Sequence, residues 1–303
     1  MLNPILAFSA TRRMRSFRTM LIVIAYVTAL LVLALAFLGT FLSGVVYLGT
    51  MARGTVCYLA LLIAQFSMII LIAPAMTSAS IAGERERQTL DLLLVTNTGS
   101  FRIALGKVME SFAMLALLIL CGLPVMSLCL LTGGITLWQI LIGELFLLAE
   151  AFACVSIGVF SSSVCRSTVV SVILSYLIIL AIGVVTALPF LFGYPQSITD
   201  IVYERSLYAA LEPSEAREMI PLLMYLNPGF GLLALVQGEL HVFSAQAGML
   251  GWGRILCTWL MGDRAGWIFV AMANAAAMLA ISAVLISLSA LLIRKGNKVK
   301  KNT

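Results

Sequence analysis

A chain of 303 residues that is 62% hydrophobic and 11% charged cannot cover its own surface with polar groups, since soluble domains carry roughly 45–50% apolar and about 25% charged residues. With a mean hydropathy of +1.09, most of it must be solvated by lipid, which excludes a soluble enzyme or binding domain. The net charge of +6 needs no nucleic-acid partner, because a basic inner face meeting anionic lipid accounts for it.

The N-terminal segment 1–19 reads MLNPILAFSATRRMRSFRT. Leu2, Ile5, Leu6 and Ser9 share one helical face while Arg12, Arg13 and Arg15 lie beyond it near headgroup level, the pattern of an interfacial helix rather than a disordered basic tail. The run from Met20 to Phe41 is longer than a signal-peptide core of about 7–15 residues and reads as a retained span.

A span needs about 20 apolar residues to cross roughly 30 Å of hydrocarbon. Six segments qualify: 20–42, 56–80, 103–131, 135–164, 168–193 and 266–293. The expected fold is therefore an all-α integral membrane protein with six transmembrane helices. Spans 1 and 2 fill 20–80, a connector 81–101, spans 3 to 5 102–193, an outer loop 194–265, and a basic tail 294–303 follows the last span. Turn chemistry or charge marks the remaining breaks, with MARGT at 51–55, TGG at 132–134 and CRS at 165–167.

Six spans put both termini on one side, and the cations choose it. That side holds Arg12, Arg13, Arg15 and Arg18, then Arg85, Arg87, Arg102 and Lys107, then Arg166, then Arg294, Lys295, Lys298, Lys300 and Lys301. The other has Arg53 and, spread over a long loop, Arg205, Arg217, Arg254 and Arg264. The positive-inside rule makes both termini cytoplasmic, and the compact form suits a bacterial cytoplasmic (inner) membrane.

The outer loop gathers Asp200, Glu204, Glu212, Glu215, Glu218, Glu239 and Asp263. Its semi-apolar piece 219–238, MIPLLMYLNPGFGLLALVQG, reads as short helices broken at Asn227-Pro228-Gly229, dipping into the outer leaflet or capping the bundle. His241 sits there with no Cys or acidic cluster near it and reads as a surface residue. Of the six cysteines, Cys57, Cys121, Cys129, Cys154 and Cys165 lie in or beside apolar runs, and no pair, Cys257 included, has CxxC spacing. They read as small buried hydrophobes, with no metal site.

Residues 81–96, IAGERERQTLDLLLVT, interrupt two long apolar runs with four charges side by side, Glu84, Arg85, Glu86 and Arg87. At mid-bilayer these would cost on the order of 10 kcal/mol, so the stretch must reach water. As a helix it would pair Glu84 with Arg87 and Arg87 with Asp91, and group Leu90, Leu93 and Leu94 in an apolar patch. That is a short amphipathic helix on the inner surface, burying its patch in headgroups or in a partner protein. A solvated connector would explain the charges but not QTLDLLLVT.

The stretch resembles the signature of ABC-2-type transporter permeases, carried here by Gly83, Glu84, Arg85, Glu86, Thr89, Leu90, Asp91, Leu92, Leu93, Thr96, Ser100, Gly106 and Lys107. One departure is Asn97 where that family has proline, and Asn also serves in turns. The resemblance extends over essentially the full length and implies a type V-like fold: six spans, inner termini, an elbow helix, and short helices in the loop before the last span. It also implies that the stretch is a coupling helix docking a separate cytoplasmic ATPase through Glu84, Arg85, Glu86, Arg87, Thr89, Leu90, Asp91, Leu93 and Leu94. Two ATPase copies and a second permease subunit, identical or paralogous, would complete an exporter, with ATP and Mg bound by the ATPase and no cofactor in this chain. This chain has no GxxxxGK[ST]; Gly99 to Gly106-Lys107 has the wrong spacing and Val108 replaces the needed hydroxyl. It is thus expected not to be an enzyme.

Ionisable residues inside the membrane are functional candidates by default. Glu150 falls near the midplane of the fourth span, and Glu144 six residues earlier points about 120° away, so the two form no common site. Glu144 reads as structural; Glu150 reads equally as a pathway residue or as a hydrogen-bonded structural one. Gln65 and Asn274 are the other pathway candidates, with interhelical bonding as the plainer role. Glu110 lies three residues after Lys107, an i,i+3 pair. Beside the exporter stand two other readings. One is a non-transporting anchor that transmits ATPase motion for assembly or signalling. The other is an ion-coupled secondary transporter centred on Glu150, against which stands the lack of two-half symmetry.

Overall fold

The computed structural model describes residues 17–42, 50–88, 99–193, 225–244 and 266–301. They form α1 (Phe17–Leu42), α2 (Thr50–Thr77), α3 (Ala79–Glu86), α4 (Ser100–Thr132), α5 (Leu137–Val164), α6 (Thr168–Gly193), α7 (Pro228–Ser244) and α8 (Gly266–Lys301), with no strand among the described residues. Among the described residues six helices are long and apolar enough to cross a membrane, one for each predicted span. The chain is a multi-pass, all-helical membrane protein.

The elbow helix expected over 1–19 lies outside the described residues, apart from Phe17–Thr19, which belong to α1. The second span differs from expectation. Instead of ending near residue 80, the helical path makes one turn at Ser78 and continues as α3 through Gly83 to Glu86. Charge alone would have stopped it, but the partners described below carry the charges.

The helices up to Ile179, together with the chain from Met278 onward, make one compact unit. In it α2, α4 and α5 pack on one another, and α1 packs on α2 and α4. The central helix is α5, with 67% of its most apolar stretch buried against 17% for α1 and for α6. Close approach depends on small residues: a Cβ at Gly158 would collide with the Thr77 side chain, and one at Gly54 with the Gly133 carbonyl. The predicted TGG break is a tight turn in which Gly133 and Gly134 take φ of 78° and 90°, left-handed values that favour glycine. A capping box follows, with Thr136 Oγ1 accepting from Gln139 N–H and Gln139 Oε1 accepting from Thr136 N–H.

The second compact unit is Leu180–Ala277. Asn227-Pro228-Gly229 opens α7 there: Asn227 Oδ1 caps Gly229 N–H at 2.8 Å, and Pro228 takes the first helical position, where no N–H is needed. Asn227 Nδ2 also donates to the Gly183 carbonyl at 3.2 Å. The rest of the expected outer-loop helices, in 194–224 and 245–265, lies outside the described residues.

The Gly158–Thr77 contact gives a packing prediction. Gly158→Val should destabilise the chain by about 1–3 kcal/mol, measured by equilibrium unfolding in mixed micelles. Adding Thr77→Ala should recover only part of the loss, because the residue 77 Cβ stays within 2.8 Å of the new one.

Candidate functional site

At Ser78 the chain turns at one end of the bundle, between two helices. Pro74 in α2 has no N–H to donate, and nearby Tyr176 of α6 donates its hydroxyl to the Leu71 carbonyl at 2.5 Å. Ser162 of α5 secures the start of α3: its Oγ accepts from Ile81 N–H at 2.9 Å and Ala82 N–H at 2.8 Å, and donates to the Ser78 carbonyl at 2.7 Å. Ser78 Oγ bonds Ser175 Oγ of α6 at 2.9 Å, and Ser175 bonds Ser161 of α5. Ser78, Ser161, Ser162 and Ser175 are fully buried, so these hydroxyls tie together three helix segments where lipid could not.

The charges that follow go to three different helices. Lys107 Nζ of α4 donates to Glu84 Oε1 at 2.5 Å and lies 3.8 Å from Glu110 Oε2, so the expected i,i+3 pair is present but the shorter bond belongs to Glu84. Arg85 reaches the far end of α5, donating from Nη1 to the Cys165 carbonyl at 2.7 Å and from Nη2 to the Ser163 carbonyl at 3.2 Å. Glu86 takes the first residue of α6, accepting from Thr168 N–H at 2.9 Å and from Thr168 Oγ1 at 2.5 Å. A cation thus closes a helix C-terminus and an anion opens a helix N-terminus, each with the sign the helix dipole favours.

Of the predicted docking residues, Glu84, Arg85 and Glu86 are therefore engaged within this chain. Arg87 and Gln88 form an exposed turn, with Gln88 at φ 58°. Thr89, Leu90, Asp91, Leu93 and Leu94 lie outside the described residues. The serines and Thr168 were not singled out from the sequence, although SSS at 161–163 inside an apolar span was a visible signal.

The membrane candidates are scattered. Asn274 is fully buried and donates to the Tyr225 and Asn227 carbonyls at 2.8 and 2.9 Å, pinning the start of α7. Glu150 is fully buried, and neither carboxyl oxygen has a hydrogen-bond partner among the described residues. Gln65, also fully buried, sits near Tyr26 and Glu144 instead. The described cysteines are free thiols, and no group of three metal-ligating side chains occurs among the described residues.

Two substitutions separate the contacts at the charged end. Arg85→Ala should cost about 1 kcal/mol, reduced from a buried charged bond by its partial exposure, and should speed hydrogen exchange around 164–168. Glu86→Ala should speed exchange at the Thr168 amide, which loses its acceptor, while leaving α4 unchanged.

No protein-family model matches this chain, and no curated protein matches it.

Proposed function

We propose that the chain is the permease subunit of an ATP-driven ABC-2-type exporter in a bacterial cytoplasmic membrane. It forms half of a translocation pathway with a second permease subunit and docks a separate ATPase, which binds the ATP and Mg, through the segment that begins at Arg87. The observation that carries this reading is the threefold fastening of Glu84, Arg85 and Glu86 to α4, α5 and α6. A connector that only spanned two helices would need no such base. A segment that receives force from a partner does, because force arriving there passes to three membrane helices at once. The resemblance of 81–107 to the permease signature supplies the kind of partner.

Gln65, Glu150 and Asn274 are each 0% exposed within a single subunit. None of them faces a surface on which a second subunit would sit, so a pathway between subunits would be lined by other residues. The second reading, a membrane anchor that converts ATPase motion into assembly or signalling without transport, needs no such lining at all.

The test is co-expression with an ABC-type ATPase encoded beside the chain. Leu90→Glu/Leu93→Glu should reduce co-purified ATPase at least tenfold while the membrane fold is retained; undiminished recovery would reject the docking segment. Orientation is checked in the same cells. A cysteine at Arg166 should label only from the cytoplasmic side and one at Gly134 only from outside, in a background lacking native cysteines.

A further inference from the structure

Among the described residues, Tyr26 Oη of α1, Gln65 Oε1 and Nε2 of α2 and both carboxyl oxygens of Glu144 of α5 are buried without hydrogen-bond partners. Tyr26, Gln65 and Glu144 are 4%, 0% and 5% exposed. Gln65 lies beside both the Tyr26 phenol and the Glu144 carboxyl, yet in full hydrogen-bond geometry with neither. Its position is built in, because a Cβ at Gly122 of α4 would collide with Gln65 Nε2. The other titratable groups nearby among the described residues are Cys121 on α4 close to Tyr26, and Tyr58 on α2, which packs on Gly143 and donates to the Gln139 carbonyl at 3.0 Å. Glu150 is on the same helix as Glu144, about 9 Å further along and about 120° around.

Buried polar groups are costly unless partnered. This trio can be partnered in two ways, and the two differ by one proton. With the Glu144 carboxyl protonated, its O–H donates to Gln65 Oε1 and Gln65 Nε2 donates to Tyr26 Oη. With the carboxylate ionised, the amide turns over, so that Nε2 donates to the carboxylate and the Tyr26 hydroxyl donates to Oε1. An amide has a donor face and an acceptor face, and a phenol can give or take, so neither state leaves the chain of bonds broken. The carboxyl oxygens of Glu150 have no hydrogen-bond partner among the described residues.

We propose that Glu144, Gln65 and Tyr26 form a proton-binding site within the membrane, in which the Gln65 amide reverses as the proton enters and leaves Glu144. A divalent cation would want about six oxygens or more, and the trio offers only the phenol, the amide oxygen and the two carboxyl oxygens. The single negative charge matches a single proton. Glu144 has an amide and a phenol from two other helices beside it, which leaves it the one of the two whose charged and neutral forms can both be met. The site uses this chain alone and stands apart from ATPase docking.

Infrared difference spectra of the full chain in lipid nanodiscs, taken across a pH series, test it. The expected result is a protonated-carboxyl carbonyl band that bleaches reversibly on alkalinisation, is missing in Glu144→Gln and persists in Glu150→Gln. In Gln65→Leu the ionised form loses its amide donor, so bleaching should require at least about tenfold lower proton concentration. Three results would overturn the site: no pH response in the native chain, a response that survives in Glu144→Gln, or bleaching by sodium at fixed pH. If Glu144→Gln does not fold, Gln65→Leu and Tyr26→Phe decide, since an unchanged titration in both also overturns it.

Discussion

Helix ends leave amides and carbonyls that lipid cannot satisfy, and at one end of this bundle the unsatisfied groups are made to answer one another. The start of α3 is capped by Ser162 of α5, and the end of α5 is capped by Arg85 of α3. Glu86, one residue on, completes the circuit by capping α6. The two caps between α3 and α5 are reciprocal, so neither helix end is satisfied without the other. The connector 165–167 that follows α5 is only three residues long, and Glu86 meets α6 at its first residue. The buried serine bridge from Ser78 through Ser175 to Ser161 holds the same three segments from inside.

This arrangement changes what the charged stretch is for. Read alone, the four charges look like a water-seeking surface. In the structure the first three are spent internally, and their signs are set by which helix end each one meets. The docking role proposed for this region therefore rests on Arg87 and the leucines after it, while Glu84, Arg85 and Glu86 are held within this chain. Glu84 on Lys107 extends the base to α4, where the chain resumes after the segment. Both flanks of the docking segment are thus anchored to the same cluster.

The spans were legible because lipid solvation demands about 20 apolar residues in a row, and that demand is local in sequence. Turn chemistry was legible for the same reason: TGG and Asn-Pro-Gly fix backbone geometry within three residues. The staple was not legible. Arg85 and Cys165 are 80 residues apart, and nothing in GERER says that Arg85 will meet a carbonyl there or that Glu84 will meet Lys107 instead of Arg87. Local pairing rules supplied the nearest partner, whereas packing supplied a better one with two carbonyl acceptors. Asn274 shows the same limit, since nothing local in the sequence says that its Nδ2 will meet the carbonyls of Tyr225 and Asn227.

The two glutamates of α5 make the point most sharply. The helical wheel separates them by direction, and depth seemed to favour Glu150 as the functional one. Depth is the weaker criterion. A carboxyl can change its charge inside a membrane only if its neighbours can accept both forms, and that depends on residues from other helices. Tyr26, Gln65 and Gly122 come from three of them, and Gly122 matters only because it is small enough to let the Gln65 amide in. A glycine in one span, a glutamine in another and a tyrosine in a third carry no joint signal in the sequence; their meaning arises when packing brings them against Glu144.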